Sequence, residues 1–380
     1  ETPGGLFFQK GPGDVGAKGL NALIDTIPKP EEKRVDGCGW KHKHFESGPG
    51  LLHLLYPALL SGKPYAVKAY IAFRHDPLLS LPDPEAQKQA FDKLDLLVAI
   101  DANYSETGWY ADVLLPSATY LEKSSILTTG KGLKPSYSMR QQAVEPRNDA
   151  KPDWWIFKSL AERLGAGEYF KFKDMEAFWK FQLTGTGVTV SDLKKKGSVS
   201  LADKPVWWDR MKDLKFKTPS GKIEFVSSRL QESKIESFKP YERPQKPDEG
   251  YYRLAFGRSP VHTHGRTQNN PVLSEIMPEN QLWLNADEAA KIGVANGDLV
   301  RVTSSDGSHS GTINAYVTEF IHSESVFMVH GFGRKVPWQT RGYNKGLGDY
   351  RFETGLLGVY DPVGGANSLM ECFVKVEKAE

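Results

Sequence analysis

Hydrophobic and polar positions in the first hundred residues predict a strand, a helix and a second strand. Residues 64–73 (PYAVKAYIAF) have the composition of a strand, and residues 85–94 repeat apolar positions at helical spacing after Pro84. The run 95–100 (DLLVAI), which is apolar after Asp95, predicts a buried strand. Such a unit implies a parallel sheet covered by helices, and ligands of these sheets bind beyond the carboxyl ends of the strands. Asp101 stands at one of these ends.

The middle of the chain has a less regular pattern. It contains two predicted helices, at 153–164 and 174–183. The stretch 239–250 (KPYERPQKPDEG) combines three prolines with charge and a final Gly, a composition that is typical of a linker. We therefore expect a domain boundary near residue 248.

The pattern after this boundary is one of short apolar runs divided by Gly, Asn and Asp turns. The runs are YYRLAF, QLWLN, DLVRVTSS, GTINAYVT, SVFMVHG and LMECFVKV. One short helix, at 286–292, is expected to interrupt them. This spacing predicts a closed β-barrel with few free edges.

Composition and charge narrow the set of partners. The chain has 49 basic and 47 acidic residues and a net charge of +2, so neither nucleic acid nor an anionic membrane surface is expected as the main partner. No run of about 18 apolar residues suggests a membrane span. The KKK run at 194–196 is expected to be solvated surface. The tryptophan pairs at 154–155 and 207–208 are expected to anchor packing.

Only two cysteines occur, Cys38 and Cys372. This number excludes a disulfide framework, and it excludes an iron–sulfur cluster or four-cysteine zinc site built from this chain alone. Each cysteine is expected to be a buried, small apolar side chain. The chain begins Glu-Thr-Pro-Gly-Gly, without an initiator Met or a leader, so we expect a processed, truncated or partial polypeptide.

Four stretches together resemble the molybdopterin oxidoreductases of the dimethyl sulfoxide reductase superfamily. They are LDLLVAIDANYSETGWYADVLLPSATYLEK at 94–123, FKTPSGKIEFVS at 216–227, the segment 256–307 that begins FGRSPVHTHGRTQNN, and VFMVHGFGR at 326–334 with DPVGGANSLMECFVKV at 361–376. The HGFG element and the early GKPYAVKAYIAFRHDPLLSLPD further resemble the polysulfide and thiosulfate reductase branch.

The resemblance implies an α/β plus β fold in three parts. Residues 1–135 would be the returning half of an α/β domain, with a parallel sheet, that binds molybdopterin guanine dinucleotide. Residues 136–248 would be a mixed helical and irregular connection, and residues 249–380 a C-terminal dinucleotide-binding β-barrel of the double-psi type. Family members also carry an N-terminal cysteine-rich segment for a [4Fe–4S] cluster and a metal-binding Cys, selenocysteine, Ser or Asp in their first half, and neither is evident in this sequence. We therefore expect an incomplete chain that is inactive alone.

Three residues match family positions that contact the guanine nucleotide. Guanine presents two adjacent N–H donors, and one ionised carboxylate accepts both, so Asp101 is expected to bind guanine. Its alternative is a turn residue that bonds its own backbone. Lys123 is expected near phosphate or ribose and Asp153 near guanine. A surface Lys and a helix-initiating Asp are the respective alternatives.

The loop that opens the barrel is expected to face the pterin and pyrophosphate. Gly257 would let backbone amides approach the pyrophosphate, and Arg258 and Arg266 would donate to phosphate oxygens. His262 and His264 alternate, so on a strand both would face one side and bond the cofactor, with a purely structural role as the alternative. No third ligand lies nearby in sequence, so this pair predicts no zinc site.

Four more polar residues complete the expected cofactor set. They are Thr267, Gln268, His330 and Asn367. The first two lie beside the loop just described, and the last two resemble later pterin-facing positions. No metal ligand or catalytic residue is assigned within this chain, because both are expected in the missing N-terminal half.

The resemblance implies a molybdenum or tungsten enzyme with a bis-molybdopterin guanine dinucleotide cofactor that reduces a sulfur compound in anaerobic respiration. Expected partners are the N-terminal half of the same catalytic subunit, an iron–sulfur electron-transfer subunit, a membrane quinol anchor subunit and a small-molecule substrate. The complex would lie in the periplasm, outside the cytoplasmic membrane. The alternatives are a formate dehydrogenase, a nitrate, arsenate or tetrathionate reductase, or a non-catalytic cofactor-binding scaffold.

Overall fold

The computed structural model describes residues 9–45, 50–206, 216–367 and 369–379. Its α-helices are α1 (Leu55–Ser61), α2 (Pro77–Ser80), α3 (Pro84–Phe91), α4 (Glu106–Tyr110), α5 (Asp153–Arg163), α6 (Met175–Leu183), α7 (Val190–Lys196), α8 (Ser228–Glu232), α9 (Pro271–Ile276) and α10 (Ala286–Lys291). Its strands are β1 (Ala69–Phe73), β2 (Leu96–Asp101), β3 (Val113–Pro116), β4 (Thr128–Gly130), β5 (Ser136–Ser138), β6 (Ser198–Ser200), β7 (Tyr251–Gly257), β8 (Leu282–Asn285), β9 (Leu299–Ser304), β10 (Ser310–Thr318), β11 (Ser325–Val329) and β12 (Phe373–Lys378).

The chain forms two compact units. The first contains residues 1–31 and 116–225, and the second contains residues 32–115 and 226–380. These units are groups of residues in mutual contact, so each takes segments that are distant in sequence. The domain boundaries expected at 135 and 248 follow chain order instead, and they stay predictions.

A parallel strand pair lies in the second unit. β1 and β2 run parallel from the pair Ala69–Leu96 to the pair Phe73–Ile100, in a sheet of order β1-β2-β3. α3 connects them, and the Asp83 side chain caps its first turn by accepting a hydrogen bond from the Ala86 amide. The predicted strand–helix–strand unit is therefore confirmed. The first strand begins five residues later than expected, at Ala69.

The second unit also contains a closed barrel of double-psi type with the strand order β10-β8-β11-β7-β12-β9. The pairs β10–β8 and β11–β7 are parallel, whereas the other four are antiparallel. The predicted closed barrel is confirmed. Its interior is apolar and includes Leu254, Leu282, Leu284, Val300, Val302, Val326 and Val374, each fully buried. Burying side chains of this size stabilises the fold by roughly 1.5–3 kcal/mol each.

The expectation of a single short helix among the barrel strands is wrong. α10 lies where it was expected, but α9 precedes it. α9 forms because the Asn270 side chain accepts hydrogen bonds from the amides of Val272 and Leu273, while Pro271 occupies the first helical position. The expectation for the cysteines is confirmed, since Cys38 and Cys372 are both buried free thiols.

The first unit packs helices against the antiparallel sheet β4-β5-β6. Its core consists of Leu127, Tyr137, Met175, Trp179, Leu183 and Leu193. α5 and α6 confirm the two helices predicted in the middle of the chain. The KKK run is exposed at the end of α7, where positive charge favours the helix dipole. Trp154 packs on this core, Trp155 is 44% exposed, and the pair 207–208 lies outside the described residues.

Within the described ranges, no helix is both long and apolar enough to cross a lipid bilayer.

Candidate cofactor-binding site

Asp101 ends β2 at the carboxyl edge of the parallel sheet. Its Oδ1 accepts a hydrogen bond of 2.7 Å from the Ala102 amide. Burial raises the pKa of Asp101, hydrogen bonds from Ala102 and the Ser105 side chain oppose the rise, and the nearby Asp76 carboxylate adds to it. A hydrogen bond from the Asn103 amide lowers this pKa as well. A ligand with N–H groups would further stabilise the ionised form.

Asp76 stands at the same edge, three residues after β1. It anchors the start of α4 by accepting bonds from the Glu106 amide at 3.2 Å, the Thr107 amide at 2.9 Å and the Thr107 hydroxyl at 2.9 Å. The polar edge of the sheet is thus fixed by backbone contacts. Asp76 was not among the residues predicted from the sequence, although its position after a strand is the same signal that identified Asp101.

His262 lies inside the loop that follows β7. Its ring is 5% exposed, with Nε2 2.8 Å from the Met277 carbonyl and Nδ1 3.1 Å from the Thr267 hydroxyl. A carbonyl only accepts, so in the neutral ring Nε2 donates and Nδ1 accepts from Thr267. The Thr267 oxygen also accepts from the Thr263 amide at 2.9 Å. His262 and Thr267 therefore hold the loop together.

The expectation that His262 and His264 share one face of a strand is wrong. β7 ends at Gly257, and the following loop contains Pro260, which has no N–H to donate to a ladder. His264 has φ of +48°, in the left-handed region, so it does not continue a regular strand from His262. His262 is buried and His264 is exposed.

His264 instead meets His330, which follows β11. Their ring centroids are 4.9 Å apart in an edge-to-face arrangement, and His330 also stacks on Phe256 at 6.1 Å. Gly331 has φ of +91°, and a Cβ there would lie 2.6 Å from the His264 carbonyl oxygen. Only glycine allows this close approach of two backbone segments. The side-chain Nε2 of Gln268 also donates to the His264 carbonyl, at 2.5 Å.

Arg334 lies under this turn and is 4% exposed. Its Nε and Nη1 have no hydrogen-bond partner in the described part of the chain, and the Asp76 carboxylate stands 3.9 Å from Nη1. Buried guanidinium nitrogens without hydrogen-bond acceptors are costly, so Nε and Nη1 indicate a partner that these residues do not supply. Sequence reasoning missed Arg334, although it directly follows the HGFG element.

Besides those on Arg334, ten buried side-chain polar atoms lack partners among the described residues, and three of them bear on the predicted site. They are Gln268 Oε1, His330 Nε2 and Asn367 Oδ1, and all three belong to residues predicted from the sequence to face the cofactor. With Arg334 they offer hydrogen-bond acceptors, a ring nitrogen and cationic donors. A pterin has N–H donors and carbonyl acceptors and its pyrophosphate is anionic, so this set of atoms fits a molybdopterin dinucleotide.

The remaining predicted barrel residues have less distinctive surroundings. Arg258 and Arg266 are exposed, so each can reach an anion only at the surface. A Cβ at Gly257 would lie 2.9 Å from the Phe327 ring, so packing alone requires glycine there. The contacts of these three residues with a pyrophosphate stay predictions.

Lys123 and Asp153 meet in the first unit. The Lys123 ammonium lies 2.7 Å from both carboxylate oxygens of Asp153 and 3.3 Å from the Ser117 hydroxyl. Lys123 is 3% exposed, so it is not the surface residue of the alternative interpretation. A nucleotide at Asp153 would have to share the carboxylate with this lysine. Their contacts with the cofactor stay predictions.

Comparison with known proteins identifies the family. The molybdopterin oxidoreductase family model matches residues 56–163, and the molydopterin dinucleotide binding domain model matches residues 252–372. The chain belongs to the molybdopterin oxidoreductase family. The second match contains the loop of His264, the turn at Gly331 and Arg334. The unpartnered polar atoms of Gln268, His330, Arg334 and Asn367 therefore lie in the part of this chain that matches the dinucleotide binding domain model.

Relatives of this molybdopterin oxidoreductase chain include several enzymes. The thiosulfate reductase molybdopterin-containing subunit PhsA of Salmonella typhimurium is 33% identical over 91% of this chain and 50% of its own length. The F420-dependent formate dehydrogenase subunit alpha of Methanocaldococcus jannaschii is 30% identical over 73% of this chain and 41% of its own length. The chain thus spans about half the length of these curated relatives.

A solved structure, the acetylene hydratase from Pelobacter acetylenicus, has the same fold. Its TM-score is 0.71 at 21% identity, and the match covers 90% of this chain and 48% of the hydratase chain. In the described ranges of this oxidoreductase chain, no group of three or more His, Cys, Asp or Glu side chains is arranged to hold a metal ion.

Replacing Asp101 by Asn is expected to lower cofactor occupancy while the fold is kept. Asn preserves the shape but exchanges one acceptor for a donor, which leaves a guanine N–H unsatisfied at a cost of roughly 1–3 kcal/mol. The measurement is molybdenum and guanine content per chain, with circular dichroism as the folding control. A variant with full occupancy would show that Asp101 is only a turn residue, because its bond to Ala102 would then account for its position.

Proposed function

We propose that this chain forms one side of the cofactor site of a molybdenum or tungsten oxidoreductase that reduces a sulfur compound such as thiosulfate or polysulfide. The observation that carries the proposal is the group of buried polar atoms without partners on Gln268, His330 and Arg334. The similarity to a thiosulfate reductase subunit supports a sulfur substrate. When bound, a bis-molybdopterin guanine dinucleotide with its metal would supply the two-electron chemistry.

The residues of this chain would bind and orient the group. Arg334 would donate from Nε and Nη1 to an anionic or carbonyl oxygen, and Gln268 Oε1 would accept from a pterin N–H. His330 Nε2 would donate or accept according to its tautomer. Burial and the neighbouring charges of His264 and Arg258 lower the pKa of His330, so it would bind as a neutral ring. Asp101 would accept from guanine.

The other parts of the enzyme are proposed from the size of the relatives. Because the chain spans about half of their length, an N-terminal half of the same subunit would carry a [4Fe–4S] cluster and the residue that binds the metal. An iron–sulfur subunit and a membrane quinol anchor would deliver electrons at the outer face of the cytoplasmic membrane. The names of both relatives describe them as subunits, which supports an assembly of several chains.

The isolated chain is expected to have no reductase activity, and co-expression with the upstream half is expected to restore it. The physical reason is that the residue proposed to bind the metal belongs to the upstream half, and within the described residues no group of three or more His, Cys, Asp or Glu side chains is arranged to hold a metal ion. The measurement is thiosulfate-dependent oxidation of a reduced dye by the chain alone and by the reconstituted protein, each with cofactor supplied. Turnover by the chain alone would contradict the proposal.

Formate oxidation is the second candidate, because a formate dehydrogenase subunit is 30% identical to the chain. The substrate that the reconstituted protein turns over distinguishes sulfur reduction from formate oxidation. Formate-dependent reduction of an oxidised dye, without any thiosulfate activity, would replace the sulfur assignment and leave the cofactor site in place. If the reconstituted protein contained neither molybdenum nor tungsten, the result would favour the non-catalytic scaffold.

A further inference from the structure

A polar cavity lies in the second unit, beside a loop that contributes no residue to the candidate cofactor site. The loop spans residues 34–45 and is organised by the Asp36 carboxylate. Asp36 accepts hydrogen bonds from the Arg34 guanidinium at 2.6 Å, the Cys38 amide at 3.1 Å and the Leu51 amide at 2.9 Å. Arg34 holds the pKa of Asp36 below its usual value. Hydrogen bonds to Asp36 therefore give this loop a defined conformation.

The loop turns sharply so that four consecutive residues, Lys41 to His44, are presented together. The Gly37 carbonyl accepts from the amides of both Lys41 and His42 at 2.9 Å. Gly37 has φ of +78°, and a Cβ there would meet the His42 ring at 2.9 Å, so only glycine permits this turn. The sequence KHKH is thus held in one fixed arrangement by its own backbone.

Aromatic and carbonyl contacts fix the imidazoles of this loop. His42 is buried, and its ring lies edge-on to Tyr360 at 5.3 Å. His44 packs against Phe45 at 4.1 Å, and its Nε2 donates to the Pro362 carbonyl at 2.8 Å. These contacts join the loop to the segment that precedes β12 and leave a cavity of about 630 Å³ between them. A volume of this size accommodates a small-molecule ligand.

The cavity is strongly cationic. Its walls carry Lys41, Lys43 and Arg229 against one carboxylate, Glu232, in addition to the two imidazoles. Within the described residues neither lysine forms an ion pair with an acid. Burial lowers the pKa of His42, and the charge of Lys41 lowers it further. Like charges gathered in a concave wall raise the local concentration of anions.

We propose that this cavity binds a small, doubly charged oxyanion, with Lys41 and Lys43 as its main donors. Two ammonium groups can share the oxygens of a tetrahedral anion, and Arg229 and Ser233 line the opposite wall. Sulfate, thiosulfate and phosphate all have this chemistry. The site shares no residue with the group of His264, His330 and Arg334, so it does not depend on the proposed reductase activity.

The test is calorimetric titration of the complete enzyme that contains this chain, separately with sulfate, thiosulfate and inorganic phosphate, at constant ionic strength set with chloride. Saturable binding is expected, and Lys41→Gln with Lys43→Gln is expected to weaken it about tenfold or more. The matched control, Lys195→Gln with Lys196→Gln, removes the same charge from the end of α7 and is expected to change nothing. Lys41→Arg with Lys43→Arg is expected to retain binding.

The three anions also identify the source of the ligand. Tighter binding of thiosulfate than of sulfate would indicate a sulfur oxyanion, and tighter binding of phosphate would indicate a phosphorylated compound; either result supports the site. Failure of all three anions to saturate would overturn the proposal. An equal loss of affinity in the control variant would also overturn it, since the effect would then come from net charge. Thermal melting of each variant confirms folding, and no arm of the experiment requires reductase activity.

Discussion

The substitution Arg334→Met is expected to empty the cofactor site and, at the same time, to stabilise the cofactor-free protein. The guanidinium is buried and its Nε and Nη1 have no hydrogen-bond partner among the described residues, so in the absence of ligand the Asp76 carboxylate at 3.9 Å compensates its charge only in part. Its removal should raise the free energy of unfolding of the cofactor-free form by about 1–3 kcal/mol. Loss of charge-assisted bonds to the ligand should lower cofactor affinity by about 1.5–3 kcal/mol, which is roughly tenfold to a hundredfold.

The two opposite effects distinguish a ligand-binding arginine from a structural one. The measurements are molybdenum and guanine content per chain and denaturant unfolding of the cofactor-free chain. Arg301→Met, on the exposed side of β9, removes the same charge and is expected to change neither quantity. If Arg334→Met lowered the stability of the cofactor-free form, the contact of 3.9 Å with Asp76 would be the reason for this arginine, and its ligand role would be lost.

Rising pH is expected to destabilise the barrel through two buried carboxyl groups. Asp349 and Glu353 are 5% and 2% exposed. Burial raises the pKa of Asp349 to about 7, and burial together with Asp349 raises the pKa of Glu353 to about 9. The unfolded chain loses these protons near pH 4, whereas the folded chain keeps them. Between these values the unfolded state binds fewer protons, so stability is highest below the unfolded pKa and falls as pH rises through the folded pKa.

The fall is expected to be on the order of 3 kcal/mol between about pH 5 and pH 9, because relaxation of the barrel and water entry reduce the full linkage value. Glu353→Gln keeps the shape and removes the proton, so it should flatten this slope and make the variant the more stable protein at about pH 9. Glu319→Gln, an exposed position after β10, is the control and should keep the wild-type slope. The measurement is denaturant unfolding across this pH range. Parallel slopes for wild type and Glu353→Gln would show that Glu353 is already ionised in the fold.

The barrel and the parallel strand pair could be predicted because their signals are local. Within the run 95–100, residues 96–100 are all apolar and 97–100 are buried, and the six runs after residue 250 are each bounded by turn residues. α9 carried an equally local signal, Asn270 before Pro271, which the prediction overlooked. The pair of histidines was misread because alternation alone indicates a strand only where the backbone can continue a ladder, and Pro260 prevents that.

The arrangement of the site could not be predicted, because it depends on contacts between distant segments. Gln268 and His330 were expected to be polar groups near a ligand. Their arrangement depends on the approach of Gly331 to the His264 carbonyl, where the loops that follow the paired strands β7 and β11 meet. The burial of Arg334 has the same origin. Likewise, the sequence marked Lys123 and Asp153 separately and did not show that they pair with each other. Periodicity identifies faces of elements, whereas it carries no information about which loops meet.

The closure of the barrel has a consequence for when the protein can mature. β12 lies between β7 and β9 and pairs with both. β7, the first strand of the barrel, therefore lacks one of its two neighbouring strands until β12 has been translated. While β12 is still in the ribosome, the other five strands would form an open sheet, with unpaired edges on β7 and β9 and an exposed apolar face. The turn of His264 follows β7, and the segment of Arg334 follows β11, which pairs with β7. Insertion of a cofactor there is therefore expected to follow synthesis of β12, because the loops after β7 and β11 reach their final positions only when the barrel has closed.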